Sequence, residues 1–198
     1  MRSDDMFEDI LSSKFYGFCN LLTRFIYLIL LFLVFSLPII TIGSSLTALI
    51  ATIRQPEYKT FSLFWKTFKE NFFRGTVVLL FTGFTVLFLM EFWRLVHAFP
   101  AGNIILMLIA IFLIVYNLNA YLFVSILKKC NITFFRQVFF FTIGTIYKTF
   151  LIPVIALIFA FIFPIIGGWP LLLMSIPMVL SIYVRIIKKD LEVIEEYL

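Results

Sequence analysis

The chain has 198 residues, of which 63% are hydrophobic and 14% charged, with 27 Phe and a formal net charge of +5. A soluble domain carries roughly 25% charged residues, so this composition excludes one and indicates a single integral membrane domain over 1–198. The positive balance, which in a soluble protein would suggest nucleic acid, is explained here by cytoplasmic loops enriched in Lys and Arg.

The N-terminal residues Asp4, Asp5, Glu8 and Asp9 are wrong for the basic start of a cleavable signal, and none is expected. Phe25 to Ile53 then runs 29 residues without Asp, Glu, Lys or Arg. Within it lies LPIITIGSSLTAL, Leu37 to Leu49. Pro38 removes a helical hydrogen bond and Gly43 permits unusual backbone angles, so Pro38, Thr41 and Gly43 mark a structured corner. Such a break at membrane depth requires protein or a water-filled cavity around it. The segment 17–55 is preferred as one crossing, about Phe25 to Ser45. The alternative is a re-entrant arm that returns through Ser44 to Arg54, too short to span alone.

Next comes TFSLFWKTFKENFFRG, Thr60 to Gly75, with Phe61, Phe64, Trp65, Phe68 and Phe72 at three- and four-residue steps. Lys66, Lys69 and Glu70 occupy the other side, the pattern of a helix lying on the membrane surface. Its aromatic face is either an anchor or a docking surface for another subunit. A second crossing follows at about Gly75 to Leu95 and a third at Asn103 to Leu127. ITFFRQVFFFTIG, Ile132 to Gly144, reads as a second surface helix. Thr149 to Val184 is 36 residues without a formal charge, about 54 Å as one helix, and PIIGGWP at Pro164 to Pro170 breaks it. A fourth crossing is therefore expected to begin near Gly144 and a fifth to run from Trp169 to Tyr183. The expected fold is an all-α polytopic membrane protein of about five transmembrane helices plus amphipathic surface helices. Two units, 60–127 and 133–198, each consist of a surface helix and a hairpin.

Of the 16 Lys and Arg, 12 lie in three segments: Arg54 to Arg74, Lys128 to Lys148, and Arg185 to Lys189. The positive-inside rule places those segments and the C-terminus in the cytoplasm, with the loop Ala98 to Asn103 outside. The N-terminus is equivocal: an odd number of crossings puts it outside, yet it carries Arg2, Lys14 and Arg24.

Here the residues resemble a known family. LPIITIGSSLTAL followed by FWKTFKENFFRG (Phe64 to Gly75) is similar to the YesL-like bacterial membrane proteins, catalogued as domain of unknown function 624. Ser44 and Ser45 depart from the smaller apolar residues expected after the glycine. The resemblance implies an association with carbohydrate importers and glycan-degrading enzymes in Gram-positive bacteria, and carries over no catalytic residue.

Chemistry is scarce in the chain itself. There is no GxxxxGK[ST] loop, so it is not by itself an ATPase. Cys19, Cys130 and the lone His97 have no metal-ligand spacing, and no cofactor or metal is expected. Glu91, Arg94 and His97 share a helix face near the end of crossing two; an interfacial ion pair is preferred over a ligand site. Asn117 and Asn119 lie in crossing three about 200° apart, and interhelical hydrogen bonds are preferred over a substrate path. The expected partners are membrane lipids and other membrane subunits, ABC importer permeases above all, and not nucleic acid. The function so indicated is a non-catalytic accessory or assembly factor of a carbohydrate ABC importer. A small homo-oligomeric transporter or channel is the alternative, and a protein of cell-wall glycan metabolism a third.

Overall fold

The computed structural model describes residues 3–55, 59–96, 100–127 and 132–196. Cys130, His97 and the tip of the loop Ala98 to Asn103 lie outside the described residues. The described residues form eight α-helices and one 3-10 turn: α1 (Ser3–Ser36), the turn (Ile39–Thr41), α2 (Ile42–Arg54), α3 (Thr60–Glu70), α4 (Phe72–Val96), α5 (Pro100–Ile126), α6 (Ile132–Thr149), α7 (Leu151–Gly167) and α8 (Trp169–Glu196). The protein is an all-α polytopic membrane protein.

Among the described residues three helical stretches are long and apolar enough to cross a bilayer: Phe15–Ser36, Phe72–Val96 and Gly102–Ile126. Thr133–Thr149 and Leu151–Ile162, bent by 60° from each other, make a fourth if they count as one span. The expected start of a crossing near Gly144 is corrected: Gly144 is interior to α6, and the break falls at Phe150. Pro153 explains the position, because its ring would collide with the carbonyl of Thr149 in a continuous helix. At the other end of α7, Gly168 has φ 72°, the left-handed stop that lets α8 begin at Trp169.

The first apolar run folds back on itself. α1 ends at Ser36 because Pro38 has no N–H and forces Leu37 out of the helical region. Arg24 Nη2, twelve residues before that end, donates to Thr52 O at 3.0 Å. α2 therefore returns antiparallel to α1 as far as Arg24, and the segment is a hairpin rather than a single passage ending at Ser45. At 13 residues, about 20 Å, α2 is too short to span. It is nonetheless central, packing against α1, α3, α4, α5 and α8, with Ala48, Leu49 and Ile50 almost fully buried.

α3 is shorter than expected. It stops at Glu70, where Asn71 turns its own N–H and its Nδ2 onto Thr67 O, both at 3.0 Å. Phe72 and Phe73 thus open α4. α4 and α5 form an antiparallel hairpin, closed at its base by the Arg74 guanidinium donating to Leu127 O.

Candidate functional site

Pro38 and Thr41 build the corner through hydrogen bonds. Thr41 N donates to Pro38 O at 2.9 Å, and Thr41 Oγ1 lies 2.5 Å from Phe35 O and 2.6 Å from Pro38 O. The hydroxyl thus serves Phe35 O, one of the carbonyls that the end of α1 leaves without helical partners, and shares Pro38 O with the Thr41 N–H. The hydroxyls of α2 bond backward too: Ser44 and Ser45 to Thr41 O, Thr47 to Gly43 O, Thr52 to Ala48 O, all at 2.7–2.9 Å. That satisfies them inside a packed interior and keeps the helix surface smooth enough for close approach.

Gly43 requires a different account from the sequence reading. It is an ordinary helical residue, and among the described residues the positive φ belongs to Gly168. Its need is space. A Cβ at Gly43 would stand 2.1 Å from Gly75 O and 2.7 Å from Gly75 C. A Cβ at Gly75 would meet Ser44 N at 2.6 Å and Gly43 C at 2.8 Å. α2 and α4 touch backbone to backbone at this crossing, and Gly75, which the sequence reading used only as a boundary, is half of the joint.

The aromatic face of α3 is divided between the interior and the surface. Phe64 is 0% exposed, and Phe68 packs on Phe35 and Trp65 at centroid distances of 5.1 and 5.9 Å. The expectation that Phe64 and Phe68 belong to a free docking surface is corrected: α3 uses them to hold the distal end of α1. Phe61, Trp65 and Phe72 keep exposed area, and Lys69 Nζ sits 4.4 Å from the Trp65 ring centroid.

Glu91 and Arg94 form an ion pair at 2.9 Å with both side chains mostly exposed. Asn117 is saturated between α4 and α5. Its Nδ2 donates to Leu113 O at 2.8 Å and Thr85 Oγ1 at 3.2 Å, and its Oδ1 accepts from Thr82 Oγ1 at 2.8 Å. Tyr121 OH joins at 3.0 Å from Thr82 Oγ1. Asn119 faces the other way, donating to Thr142 Oγ1 on α6 at 2.9 Å and accepting from Tyr183 OH on α8. A further link joins the same two helices: Lys148 Nζ lies 2.7 and 2.9 Å from the carboxylate oxygens of Asp190.

At the other end of α2 the chain gathers cations. α1, the last turn of α2 and α8 frame a cleft of about 460 Å³ lined by Arg24, Arg54, Gln55, Ser181, Arg185 and Lys188. Its size is that of a small-ligand site. Among the described residues no group of three His, Cys, Asp or Glu is placed to hold a metal.

Residues 25–92 match the family described as protein of unknown function, DUF624. Over that segment, about a third of its length, the chain resembles the DUF624 family. No curated protein and no solved structure matches it. The matched residues run from the α1 half of the hairpin through α2 and α3 into α4, and contain both glycines of the close crossing. Asn117, Asn119, Tyr183 and Asp190 fall outside the match. Sequence reasoning missed Tyr183 and Asp190 as partners, since nothing in the pattern pairs residues 64 and 42 positions apart. It read Arg24, Arg185 and Lys188 only as topology signals; their shared end of the bundle with Arg54 carried no local signature.

Proposed function

We propose that this protein is a non-catalytic accessory subunit, or an assembly and regulatory factor, of a membrane complex, with a carbohydrate ABC importer as the complex. The observation that supports this is how its interior polarity is used. Asn117 and Asn119, with Thr82, Thr85, Thr142 and Tyr183, bond to neighbouring helices of the same chain. Polar groups so engaged fix helix packing instead of lining a solute path. What the chain offers outward is apolar and aromatic, including Phe61 and Phe72 beside the basic positions of α3. The link to sugar import rests on the family resemblance alone.

The test is purification of the tagged full chain from native membranes in mild detergent, with identification of the chains that accompany it. Importer permeases at a fixed ratio, lost on Phe61→Ala or Phe72→Ala while membrane insertion is kept, support the proposal. Solute flux by the purified chain alone in proteoliposomes would replace it with the oligomeric transporter.

A further inference from the structure

The basic cleft is assembled from three elements far apart in sequence: Arg24 on α1, Arg54 and Gln55 at the end of α2, and Arg185 and Lys188 on α8. Arg24, Arg185 and Lys188 therefore line one small volume, beside an Arg54 that is engaged in interactions of its own. The described carboxylates of α8 balance only part of that charge, since Glu192 pairs with Lys188 alone. Glu192 is exposed and sits 3.8 Å from Lys188, and Asp190 is engaged by Lys148. Like charges held around a cleft repel one another, and an anion between them removes that penalty.

The donors are also partly fixed in place. Arg24 is tied through Nη2 to Thr52 O, which orients a guanidinium that carries further N–H groups. Planar guanidinium groups match phosphate oxygens in pairs. Ser181 donates its hydroxyl to Pro177 O at 2.7 Å, so the neutral donor available to an anion is the Gln55 amide. The rest of the wall is apolar, formed by Phe25, Leu28, Ile53 and Val184. A cationic rim over an apolar wall between helices suits a phosphorylated headgroup with a hydrocarbon portion.

We propose that this cleft binds a phosphate-bearing ligand through Arg24, Arg185 and Lys188. The two sources of that chemistry are an anionic phospholipid headgroup and a free phosphate monoester, and the wall favours the first. The site shares no residue with the helix-joining networks.

The experiment uses the full chain in mild detergent, titrated with phosphatidylglycerol or phosphatidylcholine and followed by native mass spectrometry. Arg185→Gln with Lys188→Gln is compared with Lys66→Gln with Lys69→Gln on α3, which removes the same charge elsewhere. Phosphatidylglycerol should bind in preference to phosphatidylcholine. Its affinity should fall about tenfold or more in the cleft variant and less than about twofold in the α3 variant. Arg185→Lys with Lys188→Arg, which keeps the charges, should retain most of the binding and exclude misfolding as the cause. Glucose 6-phosphate is then added as competitor. Displacement of the lipid with the same variant sensitivity assigns a free phosphate monoester; no displacement assigns the lipid. Equal affinities in the two double variants, or no binding of either the anionic lipid or the phosphate monoester, overturn the proposal.

Discussion

Replacing Gly43 with alanine tests the joint between α2 and α4 directly. The added Cβ would lie 2.1 Å from Gly75 O and 2.7 Å from Gly75 C, where ordinary carbon contacts begin near 3.5 Å. The obstructing atoms are backbone, so no rotamer change relieves the clash and the helices must part by about 1 Å or more. Because α2 also packs on α1, α3, α5 and α8, the displacement spreads through the core. Overpacking of this kind costs about 1–3 kcal/mol. It is opposed by the gain of roughly 1 kcal/mol for alanine over glycine in a helix. Gly83, with nothing within 4 Å of its Cβ position, supplies the control. Thermal unfolding in detergent should show Gly83→Ala unchanged or stabilised, and Gly43→Ala and Gly75→Ala each lowered by on the order of 5 °C. The double variant should lose less than the sum, since one separation of the helices accommodates both methyl groups. Gly43→Ala melting together with Gly83→Ala would refute the close-contact account.

Tyr183→Phe leaves Asn119 Oδ1 without its donor in the core and should cost about 1 kcal/mol in the same unfolding assay, while Asn119→Leu combined with Tyr183→Phe and Thr142→Val should recover part of the loss. Asp190→Asn should loosen α6 from α8 and lower the melting temperature, and the exchange Lys148→Asp with Asp190→Lys should restore more of it than either single change; failure of the exchange to do better than the singles removes the ion pair as the cause. In cells, cysteines introduced at Gln55 and at Lys14 should react with an impermeant thiol reagent from the same side of the membrane, and a cysteine at Gly102 from the opposite side; labelling of Gln55 and Lys14 from different sides contradicts the returning hairpin.

Much of the fold is legible in the order of residues because the bilayer enforces simple rules. Long charge-free runs give α4 and α5, and Pro38 and the Gly167–Gly168 pair give the stops. What resists reading is three-dimensional. Gly43 and Gly75 are 32 positions apart, and each alone is compatible with a backbone role or a packing role; only their meeting distinguishes the two. The periodicity of α3 correctly gives a helix with one aromatic face, but cannot say whether that face meets lipid, a partner or the chain's own α1. The polar pairs fail for a related reason: Asn119 reads as an interhelical group, yet its donor on α8 is set by tertiary packing. The α1/α2 return is legible only as the alternative to a single crossing, because 29 uncharged residues are long enough for one passage and also for two short arms.

The central position of α2 bears on how the protein is made. A nascent chain enters the membrane from its N-terminus, and a segment of 13 residues carrying two serines and two threonines has little tendency to settle there unaided. Of its five neighbours, only α1 precedes it; α3, α4, α5 and α8 have yet to be synthesised when α2 leaves the ribosome. Its packing is therefore complete only once α8 has been made. A truncation that stopped after α5 would leave it exposed along the face that α8 normally covers, a ready substrate for quality-control proteolysis.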